Sequence, residues 1–279
     1  MSWAARLQAS EQQQEKKEKE EMHFLKTTVK NIKRHCKALN QDWVIFVTGT
    51  EGSGKSTLSS HVCSLLDPDF SIDESMIYSF RDGPHSFLKF YTKFQDTPFK
   101  VAWYDEAVTV LFSQRHSSKN SADAQEIFKI KRASNHFDVL VSPSFWDVVP
   151  DIRERRVKSL LYTFTEVYHP YDNKVEYKHF YAYFSGDKII KLSLNRKAKF
   201  AFRSPKELFK IVKPDFIEEF PAMEKSIESD YIDAKRANRE SVLERIAGVK
   251  EKDGINKLLG VNLDFSELKT QLEEKLEAE

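Results

Sequence analysis

The sequence predicts an α/β protein with a mainly parallel sheet, an added antiparallel β meander, and helical extensions at both ends. Between residues 43 and 141, short apolar β-prone runs alternate with segments of helical spacing, the pattern of a parallel sheet with right-handed crossovers. Residues 157–194 alternate β-rich runs with turn residues, as an antiparallel meander does. The segment Gly49-Thr50-Glu51-Gly52-Ser53-Gly54-Lys55-Ser56-Thr57 meets G-x-x-x-x-G-K-[ST] at every constrained position and lies between a strand-like and a helix-like run.

The elements follow in order. Residues 1–41 read as a charged, partly disordered arm. Its Gln/Glu/Lys tract Glu11–Glu21 is solvated, and Phe24, Leu25, Thr28, Val29 and Ile32 form a short amphipathic face over 22–39. The core spans 42–213. Its first strand is 43–48, and the helix after the glycine-rich turn runs to about Leu66, where Pro68 ends the unit. Ser75–Phe80 reads as a second strand, Ser86–Phe94 as a helix, Lys100–Tyr104 as a strand, 121–134 as a helix and His136–Val141 as a buried strand. In the meander, strands at Val157–Tyr168, Val175–Phe184 and Lys188–Leu192 are separated by turns at His169–Asn173 and Gly186-Asp187. Beyond Pro214, residues 214–279 form an acidic helical extension broken at Gly254 and Gly260, with a last amphipathic helix over 265–277.

Composition excludes several classes. The 279 residues are 40% hydrophobic and 31% charged, enough for one packed domain with exposed helices. No run approaches the roughly 18–20 apolar residues that cross a bilayer, and the charged, Gln-rich start is unlike a signal peptide. Cys36 and Cys63 stand far apart, which argues against a disulfide framework or zinc knuckle and for a reducing, cytoplasmic setting. The net charge is +1, yet residues 153–213 carry 15 Lys/Arg against 6 Asp/Glu, and residues 214–279 carry 10 against 17. A basic segment interleaved with Tyr162, Phe164, Tyr177, Phe180, Tyr181, Tyr183 and Phe184 suits DNA or RNA, through phosphate neutralisation and base stacking; packing in a sheet core accounts for such aromatics as well.

The glycine-rich segment dictates the chemistry. A strand, a glycine turn and a helix start aim backbone N–H groups at a polyphosphate. Lys55 would reach the β- and γ-phosphates of ATP, and the Ser56 hydroxyl would coordinate Mg²⁺. The apolar run Phe99–Tyr104 delivers Asp105, a second carboxylate for the metal side. Glu106, one residue on, points to the opposite face of the strand end, from which it would orient or deprotonate a water attacking the γ-phosphate. No N/T-K-x-D segment of the kind that reads a guanine base is present. An arginine supplied to a neighbouring subunit's nucleotide accelerates hydrolysis by about 10³–10⁵ in GTPases. Arg115, Arg132, Arg153, Arg155 and Arg156 are candidates, with Arg132 and Arg153 leading because they flank the strand at 136–141.

The order of these parts resembles a family. A phosphate loop, a hydrophobic strand with Asp105-Glu106-Ala107, then Arg115, Arg132-Ala-Ser-Asn135 and Asp138-Val-Leu-Val-Ser-Pro-Ser-Phe-Trp-Asp-Val-Val-Pro-Asp-Ile-Arg153 looks like the zonular-occludens-toxin-like and FtsK/HerA-type ATPases, over residues 43–160. The resemblance implies a RecA-like P-loop NTPase core with an additional central strand. It also implies a catalytic glutamate, a ring-forming assembly that moves or packages DNA, and a viral or mobile-element setting. By the same resemblance a polar residue after the fourth core strand senses the γ-phosphate. Ser142 or Ser144 stands there, where those proteins often carry Gln. Two other functions stay open. A nucleoside or nucleotide kinase would share the phosphate loop, and an ATP-gated assembly switch would use the helical arms to hold partners.

Overall fold

The computed structural model describes residues 22–78, 87–105, 134–168 and 175–253, with no side-chain account of Leu88 or of 241–253. Its strands are β1 (Trp43–Gly49), β2 (Val101–Tyr104), β3 (Phe137–Ser142), β4 (Val157–Tyr168), β5 (Glu176–Ser185) and β6 (Phe216–Glu219). They form one six-stranded sheet in the order β2-β3-β1-β4-β5-β6. β2, β3, β1 and β4 run parallel, and β5 and β6 continue antiparallel from β4. β3 therefore lies between the strand before the glycine-rich loop and the strand before Asp105.

The strands read as unbroken apolar runs because both faces of the sheet are covered. Successive residues of β1 point opposite ways: Val44 and Phe46 join one core, Ile45 and Val47 the other. The first core also takes Leu140, Tyr162 and Phe184 from the sheet, under α4 (Phe87–Phe94), α5 (Pro150–Arg155), α6 (Asp187–Leu194), α7 (Arg196–Ala201) and α8 (Pro205–Ile211). The second takes Val139, Trp103 and Tyr181 under α1 (His23–Leu39) and α2 (Lys55–Leu66). In α1, Leu25, Val29, Ile32 and Cys36 recur at helical spacing and are all buried, so this helix belongs to the body of the protein. The helix stops at Asn40, which adopts the left-handed conformation (φ 51°) that Asn tolerates better than most residues. Burial pushes the Cys36 thiol up to about 11 and the Cys63 thiol well above its usual value; both are inert core residues.

Three expectations change. Of the strand expected at Ser75–Phe80, the described residues 75–78 form none: Ile72–Ser75 is a helical turn (α3), and Met76 makes a single bridge to Trp103, with Ile77 N–H donating to Trp103 O at 2.7 Å. Asp73 and Glu74 in the first turn after Ser71 favour the helix there. Lys188–Leu192 is the middle of helix α6. Ile189 and Leu192, three apart, share its buried face, with Asp187 in the first turn and Lys191 in the last. The third antiparallel strand is instead β6, inside what reads as acidic tail. Phe216 stacks on Tyr183 (5.0 Å, 12°), while Glu219 faces solvent on this charged edge strand.

By contacts the chain divides into two units, Met1–Ala234 and Lys235–Glu279. The first contains the sheet, and the second is described to Asp253, the end of helix α9 (Lys225–Asp253). The tract Glu11–Glu21, all but the last residue of the helix expected at 121–134, the turn at 169–173, and the breaks and final helix beyond 253 lie outside the described residues. Among the described residues no helix is long and apolar enough to cross a membrane.

Candidate functional site

Parallel pairing sets the carboxyl ends of β1, β2, β3 and β4 along one edge of the sheet. Thr48 pairs with Ser142 and Gly49 with Thr163, and Tyr104 pairs with Leu140 just before Asp105. Between the end of β1 and the start of α2 the chain loops out through Thr50–Gly54. Gly54, at φ 84°, precedes the first residue of α2 in a conformation costly for other residues. Gly49 is required by proximity. A Cβ there would lie 2.2 Å from Thr163 O and 2.4 Å from Thr163 Oγ1. Ser53, buried inside the loop, donates to Thr50 O at 2.6 Å and lies 2.6 Å from Thr163 Oγ1, which donates to Thr48 O at 3.2 Å. Thr163 of β4 is thus the post to which both ends of the loop are tied. Sequence reading placed it in the meander, because only the β1–β4 register brings it beside Gly49.

Lys55, on the first turn of α2, folds its ammonium back over the loop, donating to Thr50 O at 2.8 Å and Gly49 O at 3.2 Å. Ser56 Oγ donates to Asp105 Oδ1 at 3.4 Å. Asp105 is buried at the end of β2, while Ser56 is half-buried; Glu51 and Gly52, at the tip of the loop, are exposed. Ser56 and Asp105 are hard oxygen donors facing one another beside the first turn of α2. They suit Mg²⁺, which takes few protein oxygens and completes its shell with water and phosphate oxygens. Among the described residues no cluster of His, Cys, Asp or Glu would hold a metal without such help.

A further residue enters from far along the chain. Tyr231 of α9 brings its hydroxyl oxygen to 2.7 Å from Ser56 Oγ and 2.9 Å from Asp105 Oδ2, two acceptors that share its one hydrogen, and its ring stacks on Trp103 (5.4 Å, 13°). The segment leading to it crosses the loop. Phe220 packs so close to Gly54 that a Cβ there would meet its ring at 3.0 Å, and Pro221 O lies 3.2 Å from His61 Nε2 of α2. No sequence motif announces Tyr231, since its position depends on β6 and the turn into α9.

The other expected residues divide. Ser142 sits at the carboxyl end of β3 beside Thr48, fully buried, and donates to Ser144 O at 3.0 Å. Glu106, Arg115 and Arg132 lie outside the described residues. Arg153 is not brought to the loop. Buried beneath α6, it donates to Ser193 Oγ at 2.7 Å, to Trp146 O, to Val148 O and to Glu154. That set of bonds uses its guanidinium to tie α5 to α6. The Ser193 hydroxyl, with Arg153 beside it, holds the Glu154 carboxyl below its usual range. Arg156 forms an ion pair with the buried Asp42 at the start of β1. Of these three arginines Arg155 is the exposed one, with Asp151 at 3.4 Å, while Arg156 is half-buried. The aromatics of β4 and β5 are mostly core. Tyr162, Phe164, Tyr181, Tyr183 and Phe184 are buried, leaving Tyr177 exposed and Phe180 partly covered.

No family model matches the chain, and no curated protein matches its sequence. Solved structures do resemble it. The N-terminal domain of zonular occludens toxin from Neisseria meningitidis is 13% identical over 68% of this chain and 98% of that one, with a TM-score of 0.39. The genome packaging NTPase B204 from Sulfolobus turreted icosahedral virus 2, in complex with ATP-γS, is 12% identical over 66% and 98%, with a TM-score of 0.36. The same NTPase in complex with AMPPCP is 14% identical over 45% and 75%, with a TM-score of 0.32. Identities this low leave function to be argued from the chain's own residues.

Proposed function

We propose that the chain binds ATP with Mg²⁺ at the Gly49–Thr57 loop and hydrolyses it, as an assembly of several copies acting on nucleic acid. The observation that carries the nucleotide reading is the meeting of Ser56 and Asp105 over the start of α2, beside a lysine whose ammonium already lies on the loop. A charged group held by two carbonyls exchanges them readily for phosphate oxygens, which bind it more strongly. When bound, Mg²⁺ supplies neutralisation of charge on the β- and γ-phosphates. Backbone N–H groups at the start of α2 hold the phosphates, and Lys55 stabilises charge developing on them. Glu106 is the proposed base for the attacking water. Arg132 remains a proposed donor to a neighbour's nucleotide, and exposed Arg155 suits that part better than Arg153.

The nucleic-acid surface is proposed on α6–α8. Lys191, Arg196, Lys197, Lys199, Arg203 and Lys206 are all exposed there, around an exposed Phe200. This relocates the interaction from the buried β4–β5 aromatics to helices whose charges face water. The test measures phosphate release with and without single- and double-stranded DNA and RNA across a salt series. DNA or RNA is expected to stimulate turnover. In a Lys197→Glu, Lys199→Glu, Arg203→Glu variant the stimulation is lost while the basal rate persists. The slope of log affinity against log salt is expected to become shallower by up to about 3. Turnover indifferent to every polymer at low salt favours the assembly switch, and label transferred to an acceptor in place of free phosphate favours the kinase.

A further inference from the structure

We propose that Tyr231 is a latch on the metal position. Its hydroxyl and the divalent cation compete for the same acceptor atoms of Ser56 and Asp105, so α9 is engaged when the cation is absent and released when it binds. The inference rests on the nucleotide reading above and deepens it.

The oxygen positions define the competition. Ser56 turns its own hydroxyl hydrogen toward Asp105 Oδ1, which leaves its lone pairs for whatever comes from the other side. Tyr231 comes from that side. Its oxygen is 2.7 Å from Ser56 Oγ and 2.9 Å from Asp105 Oδ2. Mg²⁺ binds oxygen at about 2.0–2.1 Å, so a cation on that lone pair would stand almost on the line the tyrosine hydrogen bond now follows. A neutral phenol is a weak ligand for a hard cation, and its oxygen has to leave for water or phosphate oxygen to take the place.

Tyr231 is not there by the accident of a swinging side chain. Its ring is parallel to Trp103, two residues before Asp105 on β2. Ile227 packs on the same core, Ala234 is buried in it, and Phe220 and Pro221 lead the chain over Gly54 and α2. The start of α9 is thereby coupled to the atoms that sense the cation.

Tyr231→Phe keeps the ring on Trp103 and deletes only the competing hydroxyl. The affinity for Mn²⁺ with AMPPCP, followed by electron paramagnetic resonance or calorimetry, is expected to rise about tenfold in this variant, the scale of one lost hydrogen bond to a charged group. In the wild type, amide exchange over 225–234 is expected to increase when Mn²⁺ and AMPPCP are added together. Equal or weaker binding by Tyr231→Phe overturns the latch, and weaker binding makes the hydroxyl a support for the bound cation. Lys55→Ala, measured alongside, separates the two readings. If it loses binding while Tyr231→Phe equals wild type, the nucleotide site stands and only the latch falls. If neither wild type nor Tyr231→Phe binds, both fall.

Discussion

Replacing Lys55 by alanine is expected to reduce ATP affinity by at least about 10²-fold while lowering stability by only about 1 kcal/mol. The ammonium donates to Gly49 O, which is buried at the end of β1, and to Thr50 O, on the half-buried side of the loop where water replaces a lost donor. Hydrogen bonds of a charged group to phosphate are each worth about 1.5–3 kcal/mol net, so losing two of them costs far more in binding than the loop bonds cost in folding. Fluorescent-nucleotide titration and a thermal melt on the same preparation check this. Near-normal affinity would remove Lys55 from the phosphate site. A melt lowered in proportion to the lost affinity would mean that the loop had collapsed. Glu106→Gln should give the opposite profile, with ATP bound normally and phosphate release stopped. Unaltered hydrolysis in that variant would reassign the base.

How far this site was legible in the sequence depends on the range over which each contact acts. The strand before the glycine-rich loop and the helix after it are set by local residues, and both stand as expected at Trp43–Gly49 and Lys55–Leu66. Asp105 was legible because an apolar strand ending in a carboxylate is also a local pattern, and parallel pairing then carries it to within reach of Ser56. Thr163 and Tyr231 were not, being 110 and 175 residues from the loop atoms they touch. Their placement follows from the β1–β4 register and the route past β6. The basic and aromatic character of 153–213 was visible as composition, but composition does not say which face is turned inward. On β4 and β5 the alternate residues meet covered faces on both sides, so the rings became core. On α6–α8 only residues such as Ile189, Leu192, Ala198 and Leu208 meet the core, and the lysines between them were left to water. Arg153 shows the same limit. It stands on α5, after β3, where the motif order singled it out, yet its guanidinium turns inward to the carbonyls of Trp146 and Val148.

Gly49→Ala is expected to destabilise the protein by about 2–4 kcal/mol and to abolish nucleotide binding with it, whereas Gly52→Ala should cost only about 1–2 kcal/mol. Both glycines have positive φ, 150° at Gly49 and 71° at Gly52, so backbone strain alone does not separate them. Space does. A methyl at Gly52 meets nothing within 4 Å, while one at Gly49 lands 2.2 Å from the Thr163 carbonyl oxygen, a backbone atom of the central β4 strand that has no rotamer with which to escape. Relief would require opening the β1–β4 pair where Thr163 also holds Ser53 and Thr48 O, breaking the loop's tether and the register that aligns the sheet ends. Urea unfolding of the three proteins, with nucleotide titration of whatever remains folded, measures both effects. Equal losses at the two glycines would mean that strain, and not contact with β4, governs the loop, and Thr163 would then lose its place as the anchor of the site.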